Sequence, residues 1–283
     1  MTDFVLTLSC PGRPGILHAV TSFLLGHGCD ITEHQQFDDT DQGTVFLRTG
    51  FTTAAPESTV DSLREAFTPV AASFAMDWRL RNTAVRPRIL VMVSKFDHCL
   101  AELLYQWRSA ALDAEIVLVV SNHPDLRPLA TAEGVPYVHI PVTAGTKPQA
   151  ESRLLSLVDE HRIDLVVLAR YMQVLSDDLC KRLEGRAINI HHSFLPSFAG
   201  AKPYHQAHRR GVKLVGATAH YVTADLDEGP IIEQEIIRVD HRAAPTRLVT
   251  VGRDAERLAL TRAVNWHCQD RVLLDGNRTV VFD

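Results

Sequence analysis

From Arg88 onward the chain alternates short apolar runs with stretches of helical spacing, and few architectures accept that order. The strand-length runs are Arg88–Val93, Ala114–Val120, Tyr137–Ile140, Leu165–Leu168, Ala187–His191, Val215–Tyr221 and Ile231–Val239. Between them, apolar residues recur at helical intervals near Leu100–Ala111, Leu126–Glu133, Pro148–His161, Ser176–Leu183, Tyr204–Arg210 and Pro245–Leu274. Strands that are apolar on both faces need cover on both faces, and intervening helices supply it. The pattern predicts an α/β domain built on a Rossmann-like, doubly wound, mostly parallel sheet.

Residues 1–82 read differently. Asp3–Ser9 alternates as a strand, and Pro11-Gly12-Arg13-Pro14-Gly15 is a turn. Ile16 to Leu25 has helical spacing, closed by Gly26-His27-Gly28, where glycine tolerates a positive φ. Strands follow at Asp30–Phe37 and Gly43–Phe51, then a helix at Ser58–Phe67 and a strand at Ser73–Leu80. The order β-α-β-β-α-β is that of ferredoxin-like folds. The polar stretch ending in Thr83–Pro87 reads as a linker, because the residue before a proline resists helix. The expected organisation is a small domain at 1–82, a linker at 83–87 and a larger domain at 88–283. The last segment, Gly276–Phe282, reads as a turn and a short strand.

Bulk properties remove several function classes. Net charge is −5 and no long basic block occurs, which argues against nucleic acid as a partner. No stretch approaches the roughly 20 apolar residues of a membrane helix, so no membrane partner is expected. The start lacks a positive segment followed by an apolar core, so the expected location is the cytoplasm. Five scattered cysteines, with no C-x-x-C pair, fit reduced thiols and speak against a structural zinc site. No metal is expected.

Two blocks carry the chemistry. In Arg186–Pro196, an apolar strand acquires Asn189 and His191, two residues apart and therefore on the same face. Two polar groups at the end of a buried strand suggest a site at the carboxyl edge of the sheet. By itself, Asn-x-His is more often a pair of satisfied hydrogen-bonding residues. The second block, Ala219–Ile232, runs from a strand through the acidic loop Asp225-Leu226-Asp227-Glu228 and out through Gly229-Pro230. Taken alone, such a loop is usually a solvated turn. If the fold brings it beside Asn189, an amide, an imidazole and a carboxylate meet. That trio suits acyl-group chemistry: Asn189 and His191 N–H groups can face an oxyanion, and the carboxylate can orient or deprotonate a water.

Asn189-Ile190-His191, Phe194-Leu195-Pro196, His220-Tyr221-Val222-Thr223 and Leu226-Asp227-x-Gly229-Pro230-Ile231 together resemble the formyltransferase family that handles 10-formyltetrahydrofolate. The resemblance implies a formyltransferase fold with Asn189, His191 and Asp227 as the catalytic trio. Leu168–Leu175 is similar to the segment that holds the folate pterin. It implies folate binding by Arg170, Tyr171, Met172, Val174 and Leu175, with Thr223 and Leu226 from the acidic loop. Glycinamide ribonucleotide transformylases carry a backbone-rich glycine loop after their first strand that cradles phosphate. Here Val93–Leu100 has no glycine, and Asp97 would repel a phosphate. Those enzymes also usually place proline after the catalytic histidine, whereas this chain has His192-Ser193.

These departures, with Gly200–Ala207 and Gly276–Phe282, resemble the deformylase branch of the family. That branch implies hydrolysis of 10-formyltetrahydrofolate to formate and tetrahydrofolate, feeding one-carbon and purine metabolism. The folate is then the substrate, and no cofactor is implied. His192 is a candidate to hold water in place of a second substrate. Two alternatives stay open: formyl transfer to an amine acceptor, and a non-catalytic folate or amino-acid sensor. Residues 1–82 resemble an ACT domain. The family's Asp-Arg-Pro-Gly-Ile turn appears as Gly12-Arg13-Pro14-Gly15-Ile16, with glycine in place of the aspartate. The resemblance implies a regulatory amino acid (glycine or methionine) at Pro11, Gly12, Arg13, Gly15 and Ile16, and a homo-oligomer, dimer or tetramer.

Overall fold

A computed structural model describes residues 2–54, 59–195 and 203–283. The chain forms two compact units. The first contains β1 (Thr2–Pro11), α1 (Ile16–Gly26), β2 (Cys29–Asp39), β3 (Thr44–Thr53), α2 (Val60–Phe74) and β4 (Asp77–Asn82). Its sheet has the order β2-β3-β1-β4 and every adjacent pair is antiparallel, which is the ferredoxin-like arrangement. Both helices press apolar stripes onto one face of the sheet: Val20, Phe23 and Leu24 from α1, and Leu63, Phe67 and Ala71 from α2.

The second helix exceeds its expected end at Phe67 by seven residues and passes through Pro69. Proline costs a helix one hydrogen bond. Ala71 continues the spacing of four set by Leu63 and Phe67, and its burial keeps the helix going. Accordingly β4 begins at Asp77, not at Ser73. At the helix start, Thr59 and Ser62 form a reciprocal capping box. Ser58, the expected first residue, lies outside the described residues.

The second unit contains β5 (Arg88–Val93), α3 (His98–Arg108), β6 (Glu115–Ser121), α4 (Arg127–Ala132), β7 (Tyr137–His139), α5 (Lys147–Glu160), β8 (Leu165–Leu168), α6 (Asp177–Arg182), β9 (Ala187–His191), α7 (Pro203–Arg210), β10 (Leu214–Tyr221), β11 (Ile231–Arg238) and α8 (Pro245–Cys268). The seven strands lie in the order β11-β10-β9-β8-β5-β6-β7. The run from β9 to β7 is parallel, and β10 pairs antiparallel with both β9 and β11. The chain moves outward from β5 to β6 and β7, then returns to the other side of β5 with β8. That reversal opens a crevice at the carboxyl ends of the strands. Leu90, Met92, Val166 and Leu168, from β5 and β8, are almost fully buried in the core of this unit. No helix of the described residues is long and apolar enough to cross a membrane.

The division differs from the expected one at the carboxyl terminus. The helix expected through Leu274 stops at Cys268, and β12 (Val272–Asp275) and β13 (Arg278–Val281) form a hairpin. Gln269–Asp275 and Thr279–Asp283 belong to the first unit, not to the domain expected at 88–283. Polar bonds account for this. Arg81 donates to the buried Asp270 carboxylate at 2.5 Å, and Arg48 donates to the Gln269 carbonyl at 3.1 Å. No helical or strand period records a pairing across nearly two hundred residues.

Candidate active site

Strand β9 presents Asn189 and His191 on one face while Ile188 and Ile190 are buried on the other. Strand β10 runs antiparallel beside it, in a register that puts His220 directly opposite Asn189. Side chains opposite one another in adjacent strands touch. Here Asn189 Nδ2 lies 3.2 Å from His220 Nε2. The other ring nitrogen, His220 Nδ1, donates to the Tyr221 carbonyl at 2.8 Å. A carbonyl only accepts, so in the neutral ring Nε2 is the acceptor and the Asn189 amide donates to it. This fixes the amide's orientation and leaves one Asn189 N–H for the cleft.

The acidic loop then folds back over the strands. Pro230 C=O accepts from Tyr221 N–H at 2.9 Å, which clamps the loop's two ends together. Gly229 sits so close beneath that a Cβ there would lie 1.8 Å from the Tyr221 carbonyl oxygen. Only glycine permits that approach. The clamped loop holds Asp227 at φ 59°, in the left-handed region. Its Oδ2 comes within 3.1 Å of His191 Nδ1, and its Oδ1 lies 3.7 Å from His220 Nε2. Burial alone would raise the Asp227 pKa. The hydrogen bond from His191 Nδ1 and the attraction of that ring outweigh it and hold the carboxyl well below the usual range. Asp227 is therefore ionised at neutral and mildly acidic pH.

Asn189, His191, His192 and Asp227 line one cleft of about 310 Å³. All seven residues expected at folate lie on the same cleft: Arg170, Tyr171, Met172, Val174, Leu175, Thr223 and Leu226. Met172, Val174 and Leu226 are 52%, 58% and 65% exposed, so the rim offers apolar surface to solvent. Ser94, at the end of β5, steadies the wall by accepting from Met172 N–H at 2.9 Å and donating to Asn122 Oδ1 at 2.7 Å. Burial, reinforced by the Glu151 charge, pushes the Tyr171 phenol up to about 12 and keeps it protonated.

Residues 87–264 match the family described as Formyl transferase. A protein of Corynebacterium sp. (strain P-1) named formyltetrahydrofolate deformylase is 56% identical over 278 residues, 98% of this chain and 97% of that one. The chain belongs to the formyltetrahydrofolate deformylases. Crystal structures of two other members agree. The deformylase of Burkholderia mallei is 53% identical with a TM-score of 0.96, covering all of both chains. That of Pseudomonas syringae is 48% identical with a TM-score of 0.97, covering all of this chain and 95% of the other.

Within this deformylase fold, the structure adds residues that the sequence reading had not assigned. His220 stands in a quoted motif, but only strand register reveals that it contacts both Asn189 and Asp227. Ser193 Oγ lies 2.9 Å from His191 Nε2, opposite the bond to Asp227. The Ser193–His191–Asp227 order resembles a nucleophilic triad. Yet Ser193 is 6% exposed and is not part of the cleft wall, so its hydroxyl orients the imidazole and does not reach a substrate. Both His191 nitrogens are thus engaged by the protein, and Asn189 has the N–H available for an oxyanion.

Burial, aided by the Arg170 charge, lowers the His192 pKa from 6.5 to about 4. The ring is neutral at pH 7. Because the folded form resists protonation, the unfolded chain binds the extra proton between pH 6.5 and about 4. Stability should therefore fall as pH drops through that window, by on the order of 2 kcal/mol after allowance for solvent screening. His192→Gln should remove most of this slope in urea melts taken at pH 7 and pH 4. An unchanged slope would refute the assignment.

In the first unit, Pro11 ends β1, and Gly12, Arg13, Gly15 and Ile16 line a separate cleft together with Gln36 and Asp38. Gly15 has φ 96°, a conformation that favours glycine. The Arg13 guanidinium donates to the Ser73 carbonyl and lies 4.3 Å above the Phe74 ring. Ile16 is 4% exposed and belongs to the unit's core. Gly200–Lys202, part of the deformylase-like sequence pattern, lie outside the described residues.

Proposed function

We infer that the chain hydrolyses 10-formyltetrahydrofolate to formate and tetrahydrofolate, with Asn189, His191 and Asp227 as its catalytic residues. The single observation that carries the site assignment is the convergence of Asp227, His191 and Asn189 on one cleft from two strands and a clamped loop. The pterin lies against Arg170–Leu175 and Thr223–Leu226, which leaves the formyl group at the deep end. A water there attacks the formyl carbon. Asp227 orients that water and accepts its proton, while His191 Nδ1–H holds the carboxylate in place. The Asn189 N–H receives the developing oxyanion. Cleavage of the C–N bond returns the proton to N10, an aryl amine of low basicity. The products are tetrahydrofolate and formate, with one proton released. The step balances with water alone and calls for no metal or redox cofactor.

His98, Cys99 and Glu256 place one donor atom each within 4.8 Å of one another. Glu256 already faces His98 at 2.7 Å and the Arg170 guanidinium at 3.4 Å, so its charge is balanced without a cation.

For the first unit we propose an ACT-like role, binding a small amino acid such as glycine or methionine at the Gly12–Ile16 turn and pairing copies into a dimer or tetramer. The ferredoxin-like order and the cleft beside that turn support it. A reducing, cytoplasmic location fits the five free cysteines.

The deciding experiment is incubation with 10-formyltetrahydrofolate alone. Formate and tetrahydrofolate should appear in equal amounts without an amine acceptor. Turnover only after adding an amine would replace hydrolysis with transfer.

A further inference from the structure

We propose that the Arg170 guanidinium is a carboxylate subsite that receives the formate product, an assignment that rests on the hydrolytic reading above. Arg170 follows β8 and has φ 65°, where a β-carbon strains the backbone and a glycine would not. An arginine held there points to a need for its side chain. That side chain is largely buried, at 10% exposure, and its stem is pinned at two places. Its Nε lies 3.4 Å from the Glu256 carboxylate, too poorly aligned for a hydrogen bond, and its guanidinium carbon sits 5.2 Å from the centre of the Phe96 ring. Glu256 is 2% exposed in its side chain and is shared with His98, so it anchors the arginine from behind.

The terminal nitrogens are not held in this way. Among the described residues none accepts a hydrogen bond from either Arg170 Nη, and neither is a buried unsatisfied atom. Arg170 lines the same cleft as Asn189, His191, His192 and Asp227. A guanidinium fork whose two terminal nitrogens are unengaged, on a residue that lines a cleft, matches a carboxylate.

The reaction supplies that ligand. A neutral formyl amide becomes an anion beside Asp227, itself an anion, and two like charges in a partly desolvated cleft repel. Arg170 offsets this as the charge forms, and it gives formate a place to wait while tetrahydrofolate leaves. The neutral His192 ring beside it adds no competing charge.

The test is a titration of ¹³C-formate against the tetrahydrofolate-loaded protein at constant ionic strength, followed by the formate NMR signal. Wild type should bind formate saturably. Arg170→Gln should weaken binding about tenfold or more, with Arg170→Lys in between because it loses the fork but keeps the charge. Each variant is saturated with tetrahydrofolate before formate is added, so a change in folate affinity does not enter the readout. If Arg170→Gln fails to fold because Glu256 loses one of its cationic neighbours, the double variant Arg170→Gly/Glu256→Gln decides. Its glycine suits the positive φ and its amide needs no counter-ion. Equal formate affinity in wild type and variants, or no saturable binding to wild type, overturns the proposal. Absence of formate release from 10-formyltetrahydrofolate by wild type would instead overturn the hydrolytic reading itself.

Discussion

Asp227→Asn is expected to lower the rate of formate release by about 10³–10⁴, the loss that follows when the carboxylate behind a catalytic histidine becomes an amide. Shape and volume barely change, so the loop clamp between Tyr221 and Pro230 should survive. What disappears is the ionised acceptor, 3.1 Å from His191 Nδ1, that takes the proton of the attacking water. An amide at that place can also turn its NH₂ group toward His191 and favour the wrong tautomer. Folate affinity should stay near wild type, because the rim residues proposed to hold the pterin are untouched. Single-turnover measurement of formate release, beside fluorescence titration with tetrahydrofolate, separates the two effects. A rate within about tenfold of wild type would refute the role given to this carboxylate.

Asn189→Ala should cost about 10²–10³ in kcat, the range for losing one oxyanion donor. KM should change little, because the developing oxyanion exists only in the transition state. The variant also strips His220 Nε2 of its partner at 3.2 Å. Asn189→Asp provides the contrast: it keeps the size but replaces the donor with an acceptor, so it should be at least as damaging. If alanine raised KM and left kcat unchanged, Asn189 would be binding ground-state folate and the oxyanion assignment would fail.

Much of this molecule was legible before any coordinates. Period-two and period-3.6 patterns predict the β-α-β-β-α-β order and the seven-stranded, mostly parallel sheet, because burial on one or both faces leaves a periodic trace. Motif resemblance pointed to Asn189, His191 and Asp227 and to seven further residues, and all of them line one cleft. The motifs mark local chain geometry that the sequence itself encodes: a strand end, and a loop pinched by Gly229-Pro230. Element ends were less legible. Helix α2 overran Phe67 because Ala71 finds a buried seat against the sheet, and the carboxyl-terminal hairpin joined the first unit through Arg81 and Asp270.

The sequence by itself determined which groups the protein owns and which face of its strand each occupies, since side-chain direction follows from backbone period. Only the tertiary structure decided which of them meet. His220 opposite Asn189, Ser193 behind His191 and Arg170 anchored on Glu256 depend on strand register, on the return of a loop and on the packing of a distant helix. Those contacts join residues far apart in the chain. Their energies depend on separation in space, and no local period records that separation.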